Sequence, residues 1–401
     1  MSEPVTVVVS SESLTTVVGV QGPPGPTGPQ GAEGPVGPAG VSATLRDFDV
    51  LNVLAPYART DQEQAFGLTQ RFDAPLKLRT GTTYATTGAA DLVRHVEAAT
   101  GGLCTVRYAG GLAQYVRRIP VIRYEDFGSA YSTALGTGVL EAFYRADGSI
   151  APWIEIGMFT AGNVGGVAAS QPGLAPWGGQ TWPAAKAKAE ALGANWRLLS
   201  VWDWALLWML CTASSYTPGG NTAYGRNASA TWQVGRRTDA GTPGTTTGTP
   251  STLSGSGPVQ WRHDGTLAGI ADLLGNVTKW IDGVKYVSGS VYLAPSNQYL
   301  GDEDDWGDES WALTNNVQFS TINGATASQK IKRALLATSA GLTAPAGNVY
   351  SASTSTRMLS RGGSWTSGSG AGFGALIASS DKSTAQASAG FIPVYVPGDG
   401  E

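Results

Sequence analysis

The sequence predicts an α+β protein, mostly β, carried behind a short triple-helical rod. Three observations predict it. Glycine recurs at every third position from Gly19 to Gly40. Apolar and polar residues alternate over short runs such as Trp153 to Phe159, the two-residue period of a half-buried strand. Thr181 and Ser200 each stand where a helix would begin, with the residue types that cap one.

The rod comes first in the chain. Residues 19–40 read GVQ-GPP-GPT-GPQ-GAE-GPV-GPA-G, with glycine at 19, 22, 25, 28, 31, 34, 37 and 40. Where three polyproline-II chains wind together, only glycine fits at the axis, so this period reads as a collagen triple helix. Three copies of the chain must then meet along one axis, and a homotrimer is expected. At about 3 Å rise per residue the rod spans about 60–70 Å. A rod this short needs folded flanks to hold it. Residues 1–18, rich in Val, Thr and Ser, are expected to attach or trimerise the chain.

Residues 41–119 read as a small, mostly β collar, with turns at Asp61 to Gln64 and Arg71 to Asp73 and a short helix over Ala89 to Ala99. His95 on that helix reads as a surface or packing residue. From residue 120 to the end a larger domain is expected. Val121 to Phe127 and Leu140 to Tyr144 read as strands, and Asp147-Gly148 as a turn. Thr181 caps a helix with Pro183 in its first turn, Ala184 to Leu192 as its body and Gly193 as its stop. Ser200 and Asp203 form a capping box, and Trp204, Leu207 and Trp208 follow at helical spacing as a core stripe.

Composition narrows the function. With 55 Gly, 14% charged residues and a net charge of −4, nothing attracts nucleic acid or anionic lipid. No apolar run reaches the ~18 residues of a membrane helix. Met1 to Ser10 lacks a basic start, and Val5 to Val9 is too short for a leader, so synthesis in a cytoplasm, without the secretory route, is expected. Cys104 and Cys211 lie far apart and read as buried free thiols.

Four motifs resemble one family. Asn195-Trp196-Arg197-Leu198-Leu199-Ser200-Val201-Trp202-Asp203-Trp204 is similar to the helix entry of the formylglycine-generating-enzyme branch of the C-type lectin fold. Gly269 to Trp280 resembles its GxxDxxGNVWEW segment, Arg361-Gly362-Gly363-Ser364-Trp365 its RGGSW, and Ala389-Gly390-Phe391 its closing GF(R). Two departures stand out: Thr278 and Lys279 replace the aromatic and the acid, and Ile392 replaces the arginine. Within that branch, Pro218 to Gly225, Thr252 to Thr266 and the segment 361–396 resemble the variable tip proteins of phages that carry diversity-generating retroelements.

The resemblance implies a phage tail-fibre or tail-tip adhesin with a C-type lectin fold, located on the virion. It places Trp365, Gly368, Ala375, Leu376, Gly390 and Phe391 in the scaffold. It places receptor binding on Ser367, Ser369, Ile377, Ser379, Ser380, Thr384, Gln386 and Ser388. The implied partners are a host cell-surface protein or glycan at the tip and other tail proteins at the N-terminus. A head fibre giving loose surface attachment is the alternative, and a bacterial surface adhesin a third.

Counting residues argues against an enzyme. No cysteine follows Cys211, as a formylglycine-type oxidase would need. Only His95 and His263 exist, too few for a three-histidine iron site. The acidic run Asp302 to Asp305 reads as a solvated loop in preference to a calcium site. No cofactor or metal is expected. A nearly uncharged surface of Ser, Thr, Gly and aromatic residues suits recognition by shape and hydrogen bonding, as in antibody loops.

Overall fold

The computed structural model describes residues 76–77, 83–84, 89–352 and 355–398. The collagen-like segment 19–40, the segment 1–18 and the turns expected near Asp61 and Arg71 lie outside them. The chain divides into two compact units, one ending at Gly102 and one running from Leu103 to Glu401.

In the first unit, β1 (Leu76–Lys77) pairs antiparallel with β2 (Thr83–Tyr84), and α1 covers Ala89–Ala99, the bounds expected from the sequence. The second unit is mixed α/β and mostly β. It begins with the hairpin of β3 (Cys104–Ala109) and β4 (Leu112–Pro120). This hairpin joins a five-stranded sheet, order β3-β4-β5-β17-β8, with β5 (Trp153–Gly157), β8 (Trp196–Leu198) and β17 (Pro393–Tyr395). The larger domain therefore starts at Leu103 and not at 120. The reason is burial: Cys104, Val106 and Val116 pack inward with the strands of the C-terminal domain.

Glycine pairs set the hairpins. Gly110 and Gly111 take φ of 59° and 77°, the doubly left-handed turn whose twist matches antiparallel strands. Gly165 and Gly166 repeat it (φ 60° and 88°) between β6 (Gly162–Val164) and β7 (Val167–Ala169).

The strands expected at Val121 to Phe127 and Leu140 to Tyr144 are absent. Tyr124–Phe127 and Glu141–Phe143 are single 3-10 turns, with α2 (Ser129–Leu135) between them. A polar pair explains the difference. The buried Glu141 carboxylate accepts the Tyr124 hydroxyl and pairs with Arg333 at 2.8 Å, so both segments bend to bring these groups inward.

The N-cap predictions hold, while the helix after Thr181 ends at Glu190 with Ala191 as its C-cap, short of the expected Leu192 and Gly193. In α3 (Trp182–Glu190), Thr181 Oγ1 accepts the Ala184 N–H at 3.2 Å. In α4 (Val201–Ala213), Ser200 Oγ accepts the Asp203 N–H at 3.1 Å while Asp203 Oδ2 accepts the Ser200 N–H at 2.8 Å. Trp204, Leu207 and Trp208 lie in the core, as does nearly all of α4. Two of its tryptophan rings also place their N–H groups: Trp202 donates to Ala294 O (3.2 Å) and Trp204 to Phe373 O (2.9 Å).

The larger sheet runs β11-β10-β9-β14-β15-β13-β12. Its members are β9 (Thr278–Val287), β10 (Ser290–Leu293), β11 (Gly307–Asp308), β12 (Val317–Gln318), β13 (Asn348–Ser351), β14 (Thr356–Gly362) and β15 (Gly372–Ala378). The short β16 (Ala389–Gly390) pairs parallel with the start of β9. Before β13 comes α5 (Gln329–Arg333). Cys104 and Cys211 are buried free thiols. Among the described residues no helix is long and apolar enough to cross a membrane.

Candidate binding surface

The motifs singled out in the sequence converge on β9. Ser200 bridges Asp282, Arg361 and Gly390 both pair with Lys279, and the Trp365 N–H donates to Asn276 O at 2.9 Å. Gly275 and Asn276 form the turn that opens β9, both with positive φ (70° and 60°). The Asn276 amide does not bond its own turn, as a local reading of Gly-Asn suggests. Its Nδ2 donates to Thr252 O (2.9 Å) and its Oδ1 accepts the Thr252 N–H (2.7 Å), so it clasps a loop 24 residues away.

Two loops carry the sequence-predicted binding residues. The first joins β14 to β15. Gly362 permits it: a Cβ there would sit 2.4 Å from Leu273 O, and its φ is +91°. The Gly368 N–H donates to Thr222 O (2.9 Å) and the Tyr224 N–H to Trp365 O (2.8 Å), tying this loop to the 219–258 region. Ser369 is exposed and Ser367 half-buried. Ser367 Oγ accepts the Ser364 N–H at 2.8 Å, so this side chain holds the turn together.

The second loop follows β15. Its first residues are pinned by Arg357, which donates to Ser379 O at 2.9 Å and bridges Asp381. The Asp381 carboxyl is held down at about 2, first by the Ser383 N–H and hydroxyl and then by Ser355. Its last residues are pinned by Gln386, bridged to Gln180, and by Ser388 O, which accepts the Thr278 N–H at 2.8 Å. Ser379 and Thr384 are exposed; Ser380, Gln386 and Ser388 are half-buried.

None of the eight residues is buried, Ile377 on β15 included. Of the expected scaffold residues, Ala375, Leu376, Gly390 and Phe391 are buried, while Trp365 and Gly368 are half-buried. The eight do not form one patch. Ser367 and Ser369 precede β15 and Ser379 and Ser380 follow it, about 20 Å apart at ~3.3 Å per residue. Ser388 returns to the start of β9, two residues from the Asn276 carbonyl that holds Trp365.

One exposed aromatic escaped the sequence reading. Trp232 is 77% exposed on the loop cluster that receives the first candidate loop. Its neighbour Gln233 accepts the Asn227 N–H through its carbonyl (3.0 Å) and the Trp261 indole N–H through Oε1 (3.0 Å). Arg237 braces the cluster: it pairs with Asp239 and donates to the carbonyls of Thr242, Thr245 and Thr247. No sequence period marks such a residue, because its anchoring lies in irregular backbone.

A scan against protein-family models matches none, and a search of curated proteins finds no match. The chemistry of the two loops thus rests on their own residues. They offer hydroxyls, amides and an aromatic ring. Among the described residues, no three or more His, Cys, Asp or Glu groups are arranged to hold a metal ion. In the acidic run, Asp302 caps a 3-10 turn and Glu303 pairs with Lys382 at 2.9 Å.

Beneath the loops, Lys279 is buried where the resemblance leads one to expect an acid. Its ammonium donates to Gly275 O at 2.8 Å, and burial pushes it down to about 7, opposed by the Asp272 carboxylate. An unfolded lysine keeps its proton up to about 10.5, so above pH 7 unfolding takes up a proton and stability rises with pH. The Tm is expected to climb between pH 7 and about 8.5, before unfolded thiols ionise. Scanning calorimetry of the protein and of Lys279→Met checks this. The slope should flatten in the variant, and a Tm already flat in the parent contradicts it.

Proposed function

We propose that this chain is the receptor-binding protein of a tailed-bacteriophage fibre, a homotrimer whose C-terminal unit has the C-type lectin fold and is a binder without catalytic activity. One observation carries the reading: the eight positions that the family resemblance marks for receptor contact all reach the surface, while four of its six scaffold positions are buried. A scaffold of this kind lets loop residues change without cost to the core. The ligand is a host cell-surface protein or glycan, recognised by hydroxyl, amide and aromatic groups. Weak single contacts would gain about 100-fold or more when three tips act together.

The test is adsorption. Virions in which Ser379→Arg, Ser380→Glu and Gln386→Arg are combined should adsorb to host cells at least ~100-fold less, the loss expected when multivalent contact fails. The Tm of the purified protein should stay unchanged. Unaltered adsorption rejects these loops as the contact. Immunogold label at the tail end supports the fibre reading, and label on the capsid moves the protein to the head.

The trimer has its own check. Light scattering on the full chain is expected to return three times the mass of one chain, falling on heating as the collagen-like rod melts. A stable monomer at micromolar concentration refutes the rod.

A further inference from the structure

Away from both loops, a hollow of about 260 Å³ lies beside the start of β3, the end of β4 and the end of α4. Its walls are Leu103, Ile119, Pro120, Ile122 and Leu210, and its polar end is Arg117, His263 and Asp264. None of the eight candidate residues lines it.

His263 is fixed from three sides. Its N–H donates to Ile270 O (2.9 Å), its carbonyl accepts the Cys211 thiol (3.0 Å), and its Nδ1 accepts the Ile270 N–H (2.8 Å). Burial pushes the imidazolium down to about 4, so near pH 7 the ring is neutral. With Nδ1 an acceptor, the one ring proton sits on Nε2. The residue is 4% exposed, yet Nε2 has no hydrogen-bond partner and is not among the polar atoms sealed in the core. It opens on the hollow.

Asp264 is divided in the same way. Its Oδ1 accepts the N–H and the hydroxyl of Thr266 (2.9 and 2.8 Å). Its Oδ2 lies 3.6 Å from Arg117 Nη2 and 4.0 Å from His263 Nε2, beyond hydrogen-bond reach of both. That oxygen is open too, on a side chain 25% exposed. The remaining polar side chains of the lining are engaged: Arg118 holds Glu155, and Ser214 Oγ donates to Leu210 O.

An open donor and an open acceptor 4.0 Å apart leave room for one oxygen about 2.8 Å from each. A hydroxyl meets both demands, accepting from Nε2 and donating to Oδ2. A carboxylate would face Asp264 and an ammonium would face Arg117, so the group is neutral. The rest of the ligand meets hydrocarbon. Pockets for drug-sized ligands start near ~300 Å³, so one ring fills this hollow. A phenol joins such a ring to a hydroxyl acidic enough to favour a carboxylate acceptor.

We propose that this hollow is a second binding site, which takes one phenol ring, its hydroxyl between His263 and Asp264 and its carbons against Leu103, Ile119, Ile122 and Leu210. It goes beyond the adhesion reading and does not rest on it.

Saturation-transfer NMR titrations on the full chain test it, with p-cresol, N-acetyl-L-tyrosinamide and toluene as probes. p-Cresol should bind saturably to the parent protein, and toluene about tenfold more weakly, since it lacks the two polar contacts. Binding of N-acetyl-L-tyrosinamide beside p-cresol assigns the site to a tyrosine side chain of a partner, and binding of p-cresol without it to a free phenol. Two variants locate the ring. Asp264→Asn keeps the oxygen that holds Thr266 and replaces the open acceptor by a donor. It should weaken p-cresol about tenfold and leave toluene unchanged. Ser214→Phe fills the hollow from an exposed lining position and should weaken both probes by at least as much. Ser214→Phe decides if Asp264→Asn fails to fold. Absence of saturable p-cresol binding overturns the proposal. So does toluene binding as tightly as p-cresol, or p-cresol binding undiminished in either folded variant.

Discussion

Asn276→Ala is expected to cost about 4 kcal/mol and to open the 219–258 loops to trypsin. The Asn276 side chain is fully buried and bonds both the N–H and the carbonyl of Thr252. Alanine leaves those two backbone groups buried and bare, at about 1–3 kcal/mol each. It must also keep a φ of 60°, which asparagine tolerates better than alanine. Asn221 Nδ2, 3.4 Å from Asn276 Oδ1, loses a neighbour as well, and Asn221 Oδ1 holds the Gly225 N–H at 2.7 Å. The loops carrying Arg226, Arg236 and Arg237 should therefore loosen together. Urea unfolding gives the stability, and limited trypsin digestion should cut after these arginines in the variant first. A cost below about 1 kcal/mol, or an unchanged digestion pattern, would remove Asn276 as the clasp.

Trp204→Ala is expected to cost about 3–5 kcal/mol, the usual toll for truncating a buried tryptophan. The ring is fully buried, its centroid is 5.3 Å from the Phe373 ring, and its N–H holds Phe373 O. Phe373 lies on β15. Gly362, at the end of β14, would bring a Cβ to 3.1 Å from Trp204 Cη2. The hole thus opens under the first candidate loop, and the Phe373 carbonyl is stranded beside it. For a unit of this size a Tm fall of about 10 °C should follow. Trp204→Phe should fall less, since it keeps most of the burial and loses only the donor and part of the ring. Calorimetry on both variants checks the order, and a fall under about 2 °C for alanine would contradict it.

The two substitutions mark the border of what sequence reasoning reached. Trp204 was legible as core because it sits at helical spacing behind a Ser200–Asp203 box. Asn276 was legible as a turn residue, yet its partner Thr252 was not. The strands expected at Val121 to Phe127 and Leu140 to Tyr144 failed for the same reason, since Glu141 finds Tyr124 and Arg333 only in the folded chain. Glycine pairs at 110–111 and 165–166 carried a readable hairpin signal, and the first of them extends the domain back to Leu103.

By itself the sequence determined the periodic rod motif, the caps at Thr181 and Ser200 and the helix Ala89–Ala99. These depend on chemistry acting within about four residues, or on a strict repeat. Only the tertiary structure decided that Ser367 and Ser369 lie at the opposite end of β15 from Ser379 and Ser380, that Trp232 stands on the loop cluster that receives the first of these pairs, and that Leu103, Leu210 and His263 line one hollow. Strand register and loop docking bring such residues together across tens to more than a hundred positions, and no local pattern encodes that distance.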